Sequence, residues 1–289
     1  MAVRPPIPGL PERPQLRPGL AVARHDATHL QVGLDPPHRV VVPDQPEVRR
    51  LLDAVAAGDP LPGLDATSWT ALHALTRAGT LVEAGGPRLA APAQAQFGAS
   101  APARVADRAA ARVAVRGPRE VVALAERLLR QSGAGLAGAD ELPDVCLVAS
   151  AGEVPRAALD GLVRDTTPHL LLTGAVGSVV LGPFVVPGLT ACLRCADAHL
   201  AETDPRRALV LEQVAVAPGA AGPPVDPALL ALAVGWAVRD LLRFVEGDRP
   251  STWSASHHIG PSAEPVTRRW SRHPHCGCAW DVIGGARAG

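Results

Sequence analysis

Apolar and polar positions alternate in short runs soon after the chain's start. In THLQVGL (28–34) Leu30, Val32 and Leu34 fall on one side, and LAVARH (20–25) and RVVV (39–42) are similarly strand-like. Asp35, Pro36 and Pro37 mark a turn between the last two runs. The period then lengthens. PEVRRLLDAVAAG (46–58) puts Val48, Leu51, Leu52 and Val55 on one helical stripe, with Pro46 in the first turn. DATSWTALHALTRAG (65–79) predicts a second helix, capped by Asp65 or Thr67, packed through Trp69, Leu72 and Leu75, and ended by Gly79. TLVEA (80–84) returns to strand. Strands, two helices and a strand predict a winged-helix-like α+β domain over 20–84.

Before it, residues 1–19 hold six prolines and few apolar anchors, and a disordered tail is expected. After it, residues 85–110 turn to Ala, Pro, Gly and Gln without periodicity, which reads as a linker. From 111 onward strands alternate with helices: ARVAVRG, then PREVVALAERLLRQSG, then DVCLVAS, VPRAALDGLVRD, PHLLLTG and GSVVLGPFVV. That order predicts an α/β domain over 111–289 with a mostly parallel sheet. DPALLALAVGWAVRDLLRFVEG is a long helix, apolar on most sides and therefore buried, and STWSASHH and VTRRW are closing strands.

Composition narrows the function classes. The 289 residues carry 28 basic and 28 acidic groups, and every basic residue is Arg. Zero net charge without a basic block argues against bulk electrostatic binding of nucleic acid. The proline-rich start has no apolar core of a signal peptide. The most apolar run, Pro227 to Val238, is shorter than the roughly 20 residues of a membrane span. A soluble, cytoplasmic protein is expected, and in a reducing compartment paired cysteines are more often metal ligands than disulfides.

Four of the five cysteines form two tight pairs about 80 positions apart: Cys192 and Cys195 in TACLRCADAHL, and Cys276 and Cys278 in HPHCGCAW. Four thiolates suit tetrahedral Zn²⁺, and Gly277 permits the sharp bend that aims both sulfurs of the second pair at one ion. A disulfide within each pair, or a thioredoxin-like redox C-x-x-C, are the competing readings; the latter has no use for a second pair. His273 and His275 flank the second pair and are expected outside the ligand set. Cys146, inside the apolar run DVCLVAS, is expected to be a small core residue.

The stretch from Asp144 to Cys278 resembles the second half of the ThiF domain, the fold of ubiquitin-activating enzymes. DVCLVAS, PHLLLTGAVG, GPFVVPGLTACLRC, the long helix and the second cysteine pair occur in the family's order. GPFVVPGLTACLRCADAHLAETDP is especially similar to ThiF-like proteins that partner cyclodehydratases in azole-peptide biosynthesis. Those proteins carry an N-terminal winged-helix clamp for a leader peptide, which adds as a strand beside the third strand and packs on the last helix. The resemblance places that contact at Arg39, Val41, Leu72 and Thr76. It also implies a homodimer.

The chain departs from the family at the strand–helix turn that binds ATP in active members. Here the turn reads VAVRGPREVV: only Gly117 remains, and Pro118 lacks an N–H. There is no Lys anywhere and no spare exposed Cys for a thioester. The favoured reading is a non-catalytic, zinc-stabilised scaffold that binds a precursor peptide or partner enzyme, without ATP. The alternatives are an active ThiF-type adenylyltransferase and a winged-helix DNA-binding regulator; for the latter, the second helix offers one Arg and one His, too little charge for a groove.

Overall fold

The computed structural model describes residues 6–85, 91–138, 140–215 and 221–279, in two compact units that divide between Ala106 and Asp107. The first unit contains β1 (Pro14–Leu16), β2 (Val22–Arg24), β3 (His29–Val32), β4 (Val40–Pro43), α1 (Pro46–Ala57), α2 (Ala66–Arg77), β5 (Leu81–Glu83) and α3 (Ala91–Phe97). β2, β3 and β4 form an antiparallel sheet in which β4 is an edge, and β1 pairs antiparallel with β5. The core is Val32, Val42, Val48, Leu51, Leu52, Val55, Leu72 and Leu75, as the two helical stripes require. Asp65 caps α2 through a reciprocal bond pair with Ser68, and the left-handed Gly58 ends α1.

Two expectations fail here. Part of the tail, Pro14–Leu16, is a strand rather than disordered. Arg13, Gln15 and Arg17 are the positions hydrogen-bonded to β5, seen in Ala84 N–H donating to Arg13 at 2.8 Å and Arg17 N–H to Thr80 at 2.8 Å. Pro14 therefore points its donor-less nitrogen away from the ladder, where a proline costs nothing. The expected linker contains α3 and α4 (Ala101–Ala110), because alanine favours helix and Pro92 and Pro102 sit in first turns. Residues 1–5 of the tail and 86–90 of the linker lie outside the described residues.

The second unit contains β6 (Val113–Arg116), α5 (Arg119–Gln131), β7 (Val145–Ser150), α6 (Asp160–Arg164), β8 (His169–Ala175), β9 (Ser178–Val185), α7 (Leu193–Ala201), α8 (Arg207–Val214), α9 (Pro227–Val245), β10 (Ala255–Ile259) and β11 (Pro265–Arg269). They build one sheet in the order β11-β10-β9-β8-β7-β6. It is mixed rather than mostly parallel: β6, β7 and β8 run parallel, and β9, β10 and β11 add antiparallel. The cause is local. Only Val176 and Gly177 separate β8 from β9, enough for a hairpin but far too short for a crossover helix. α5 and α9 cover one face, burying Val121, Ala125, Leu129, Ala233, Val234, Ala237 and Leu241 against Leu147, Leu170, Leu172 and Phe184.

α9 is anchored at both ends. Asp226 caps its start. Near its middle the buried carboxylate of Asp240 accepts bonds from both the backbone and hydroxyl of Ser251 and of Thr252. At its end Glu246 accepts from Arg108 and Arg239. No helix among the described residues is long and apolar enough to cross a membrane.

Candidate functional site

Three features stand out, and the first is the cysteine cluster. β9 ends under a loop that delivers Cys192 as the N-cap of α7, with Cys195 one turn on. The Cys195 and Ala196 N–H groups both donate to the Cys192 carbonyl, at 3.0 and 3.2 Å, which holds the two cysteines in one turn at the positive end of the helix. The second pair arrives from the segment after β11, where Cys276 N–H donates to His273 at 3.0 Å. The Sγ–Sγ distances are 3.7 Å for Cys192–Cys195, 3.5 Å for Cys192–Cys276 and 3.3 Å for Cys195–Cys278. Sulfurs 2.3 Å from a tetrahedral zinc stand about 3.8 Å apart. A disulfide needs about 2.05 Å, and all five cysteines are free. The donor set therefore fits a metal ion such as zinc. Hydrogen bonding from Cys192 pushes Cys195 down to about 4, and the same bond pushes Cys192 far above the usual thiol range. Crowded sulfurs share protons that a divalent cation would replace.

The second feature is a crevice of about 840 Å³ at the carboxyl ends of β6, β7 and β8, where α/β sheets bind ligands. Its charged lining is Arg116, Arg119 and Glu120; Val148, Val154, Leu172, Val225 and Leu230 make apolar walls. Gly117 lies at the mouth with φ of 145°, and a Cβ there would stand 2.5 Å from the Ala149 carbonyl oxygen. That glycine is spent on close approach of the turn to β7. On the opposite wall Gly174 and Gly222 press on the carbonyl of Ala151 from two sides, where added Cβ atoms would lie 2.3 and 2.2 Å from its oxygen.

The third feature is the free edge of β4. Asp44 N–H donates to Thr28 at 2.8 Å, and this pair is in register with Leu30↔Val42 and Val32↔Val40. Antiparallel pairs alternate, so Val40 and Val42 bond to β3 while Arg39, Val41 and Pro43 turn their backbone groups outward. Val41 is 39% exposed. Arg39 is exposed and donates to Gln31 on the same face. Leu72 does not join them: it is fully buried, because it belongs to the stripe of α2 that packs the unit's core. Thr76 is half-buried, with its hydroxyl bonded to the Leu72 carbonyl. Of the four residues expected at a peptide contact, Arg39 and Val41 share the open edge, and Leu72 is withdrawn into the interior.

Similarity to solved structures extends over both units. A structure of the heterocyclase TruD aligns over 92% of this chain with a TM-score of 0.70 and 18% identity. A heterocyclase in complex with substrate and cofactor gives 0.69 at 14% identity. E. coli MccB with AMPCPP and MccA gives 0.61 at 12% identity over 92% of this chain and 99% of MccB.

The chain shares the fold of MccB and of part of TruD.

It spans about two fifths of the heterocyclase chains, 42% and 40%. No family model matches the sequence, and no curated protein does. The sequence did not single out the outward register of Val41, whose one signal is Pro43 two residues on. It also missed the ion pair in which Arg156 grips Asp197 of α7 at 2.7 and 2.8 Å.

Proposed function

We propose that the chain is a non-catalytic, ThiF-like scaffold that binds a precursor peptide and presents it to a separate modifying enzyme such as a cyclodehydratase. Residues 20–84 act as a winged-helix-like recognition domain and 111–289 as a zinc-stabilised ThiF-like domain, in a cytoplasmic homodimer. The observation that carries the reading is the outward backbone of Arg39 and Val41 beside β3, which can template an added strand; Pro43 ends that row, with no N–H and with its carbonyl accepting Gln45 N–H at 3.1 Å. β2, the other edge of the same sheet, is also exposed and turns Val22 and Arg24 outward; the resemblance to leader-peptide clamps favours β4. On β11, Trp270 N–H donates to Ser254 at 2.8 Å, so the outward positions are Pro265, Thr267 and Arg269, one proline and one arginine as on β4. The outer side of β6 is bonded to residues 135–137. The fold adds support, since the solved relatives include heterocyclases and an MccB bound to MccA.

The crevice chemistry supports a non-catalytic part. MccB has been solved with ATP, but here Pro118 removes an N–H at the helix start, Gly117 serves the turn, and among the described residues the one carboxylate lining the crevice is Glu120. Phosphates with a metal ion need more donors and more acidic ligands than these. The volume of the crevice and its two arginines favour the second reading, an ATP-dependent adenylyltransferase.

The deciding experiment titrates the full chain with a fluorescent precursor leader peptide, a DNA duplex and ATP in parallel. Saturable, weakly salt-dependent peptide binding is the expected result. Strong, salt-sensitive binding of DNA alone would replace the scaffold with a regulator, and ATP binding with pyrophosphate exchange would replace it with the adenylyltransferase.

A further inference from the structure

Beside the four sulfurs lies a second cluster, His199, Glu202 and His273, whose ligand atoms fall within 4.8 Å of one another. We propose that it is a strap that positions the second cysteine pair for the metal. This rests on the reading of the cysteines as a metal centre. His199 is in the last turn of α7, the helix that carries Cys192 and Cys195, and Glu202 is that helix's C-cap. His273 begins the loop to the other pair, and its carbonyl accepts Cys276 N–H at 3.0 Å. One carboxylate thus joins the end of one ligand-bearing element to the start of the other.

The protons decide between a strap and a second metal site. His273 Nδ1 accepts the N–H of His275 at 3.2 Å. A neutral imidazole with an accepting Nδ1 carries its proton on Nε2, and Nε2 lies 3.1 Å from Glu202 Oε1. His273 therefore donates to the carboxylate and has no lone pair free for an ion at that nitrogen. His199 Nδ1 is 3.7 Å from the same oxygen, and its Nε2 is bonded to Ser271, in the same returning segment, at 3.0 Å to the hydroxyl and 3.1 Å to the carbonyl. His273 is buried, so its ring orientation is fixed by these contacts, while Glu202 is open to water. The strap fixes where Cys276 and Cys278 begin, which is the role that partners behind metal ligands play elsewhere.

The test measures zinc affinity of the full chain by competition with a chromophoric chelator at fixed pH, together with Co²⁺ spectra and melting of metal-free protein. Glu202→Ala and His273→Ala are expected to weaken zinc by about 10- to 100-fold. The thiolate-to-cobalt band should keep its shape, because the four sulfurs remain the ligands. Glu202→Gln, whose amide oxygen still accepts from Nε2, should bind zinc nearly as wild type does. Unchanged affinity in Glu202→Ala overturns the strap alone. Wild-type protein that binds no metal overturns the strap and the metal centre together. Two ions per chain, or a changed cobalt spectrum in His273→Ala, overturns it in favour of imidazole ligation. A loss of melting temperature in metal-free Glu202→Ala as large as in the loaded protein reduces the cluster to a packing contact and also overturns it.

Discussion

Replacing Val41 by proline separates the proposed docking edge from the fold that carries it. The backbone of Val41 faces away from β3, so its N–H contributes nothing to the β3–β4 ladder. Proline removes that donor, and Val40, the residue before it, already has the extended conformation that a following proline demands. The side chain is 39% exposed, so little packing is lost. Only a peptide added at the edge would notice. Its facing carbonyl would be left unpaired, at a cost of about 1–3 kcal/mol, which corresponds to roughly 5- to 150-fold in Kd. Val42→Pro is the contrasting change: it removes a donor to β3 and a side chain 2% exposed, and should unfold the unit. The assay is fluorescence anisotropy of a labelled leader peptide with the full chain, with circular dichroism of each variant alongside. Val41→Pro with wild-type circular dichroism and an unchanged Kd would refute docking at β4. A binding loss in Val41→Pro that tracks a loss of helix signal would refute the premise that its N–H is free.

The remaining expectations are simpler. Metal analysis should give close to one zinc per chain; Cys192→Ser should lose it, and zinc retained by a Cys192→Ser/Cys276→Ser double variant would sink the assignment. Calorimetry with ATP and magnesium should show no saturable heat, and micromolar affinity without a partner present would restore the adenylyltransferase. Burial pushes the Cys146 thiol up to about 11, so at pH 8 about one molecule in a thousand carries its thiolate, and a short iodoacetamide pulse on native protein should leave it unmodified by mass spectrometry; labelling at the rate of a free thiol would contradict its burial in the strand. Leu72→Ala should destabilise the chain by about 2–5 kcal/mol as a core truncation, read by chemical denaturation, whereas a stability change near zero with impaired peptide binding would return Leu72 to the groove.

Local patterns were legible because each was set by neighbours in sequence. The stripes of α1 and α2, the Asp65 cap, the burial of Leu30 and Val32 in β3 and the spacing of the cysteine pairs depend on residues a few positions apart, and each is found as read; Leu34, expected on the same buried side, is instead 80% exposed beyond the end of β3. What escaped depends on distant partners. Pro14–Leu16 is a strand only because β5 lies beside it. The direction of β9 follows from a two-residue turn that its apolar run does not reveal. Leu72 is apolar on an apolar stripe, which suits a groove and a core equally; the neighbouring α1 makes it core. Glu202 and His273 are 71 residues apart, and nothing in the sequence links them.

The contact of Gly174 and Gly222 with the Ala151 carbonyl constrains descent as well as shape. A mutation adding even one methyl group at either position must move backbone, and the backbone in question is shared by β7, β8 and the segment before α9. Arg116, Arg119 and Glu120, by contrast, are exposed and free to drift. A lineage carrying this crevice can therefore change the charge at its rim one substitution at a time, gaining or discarding an anionic ligand without disturbing the wall. The glycines behind it should outlast any function the rim acquires.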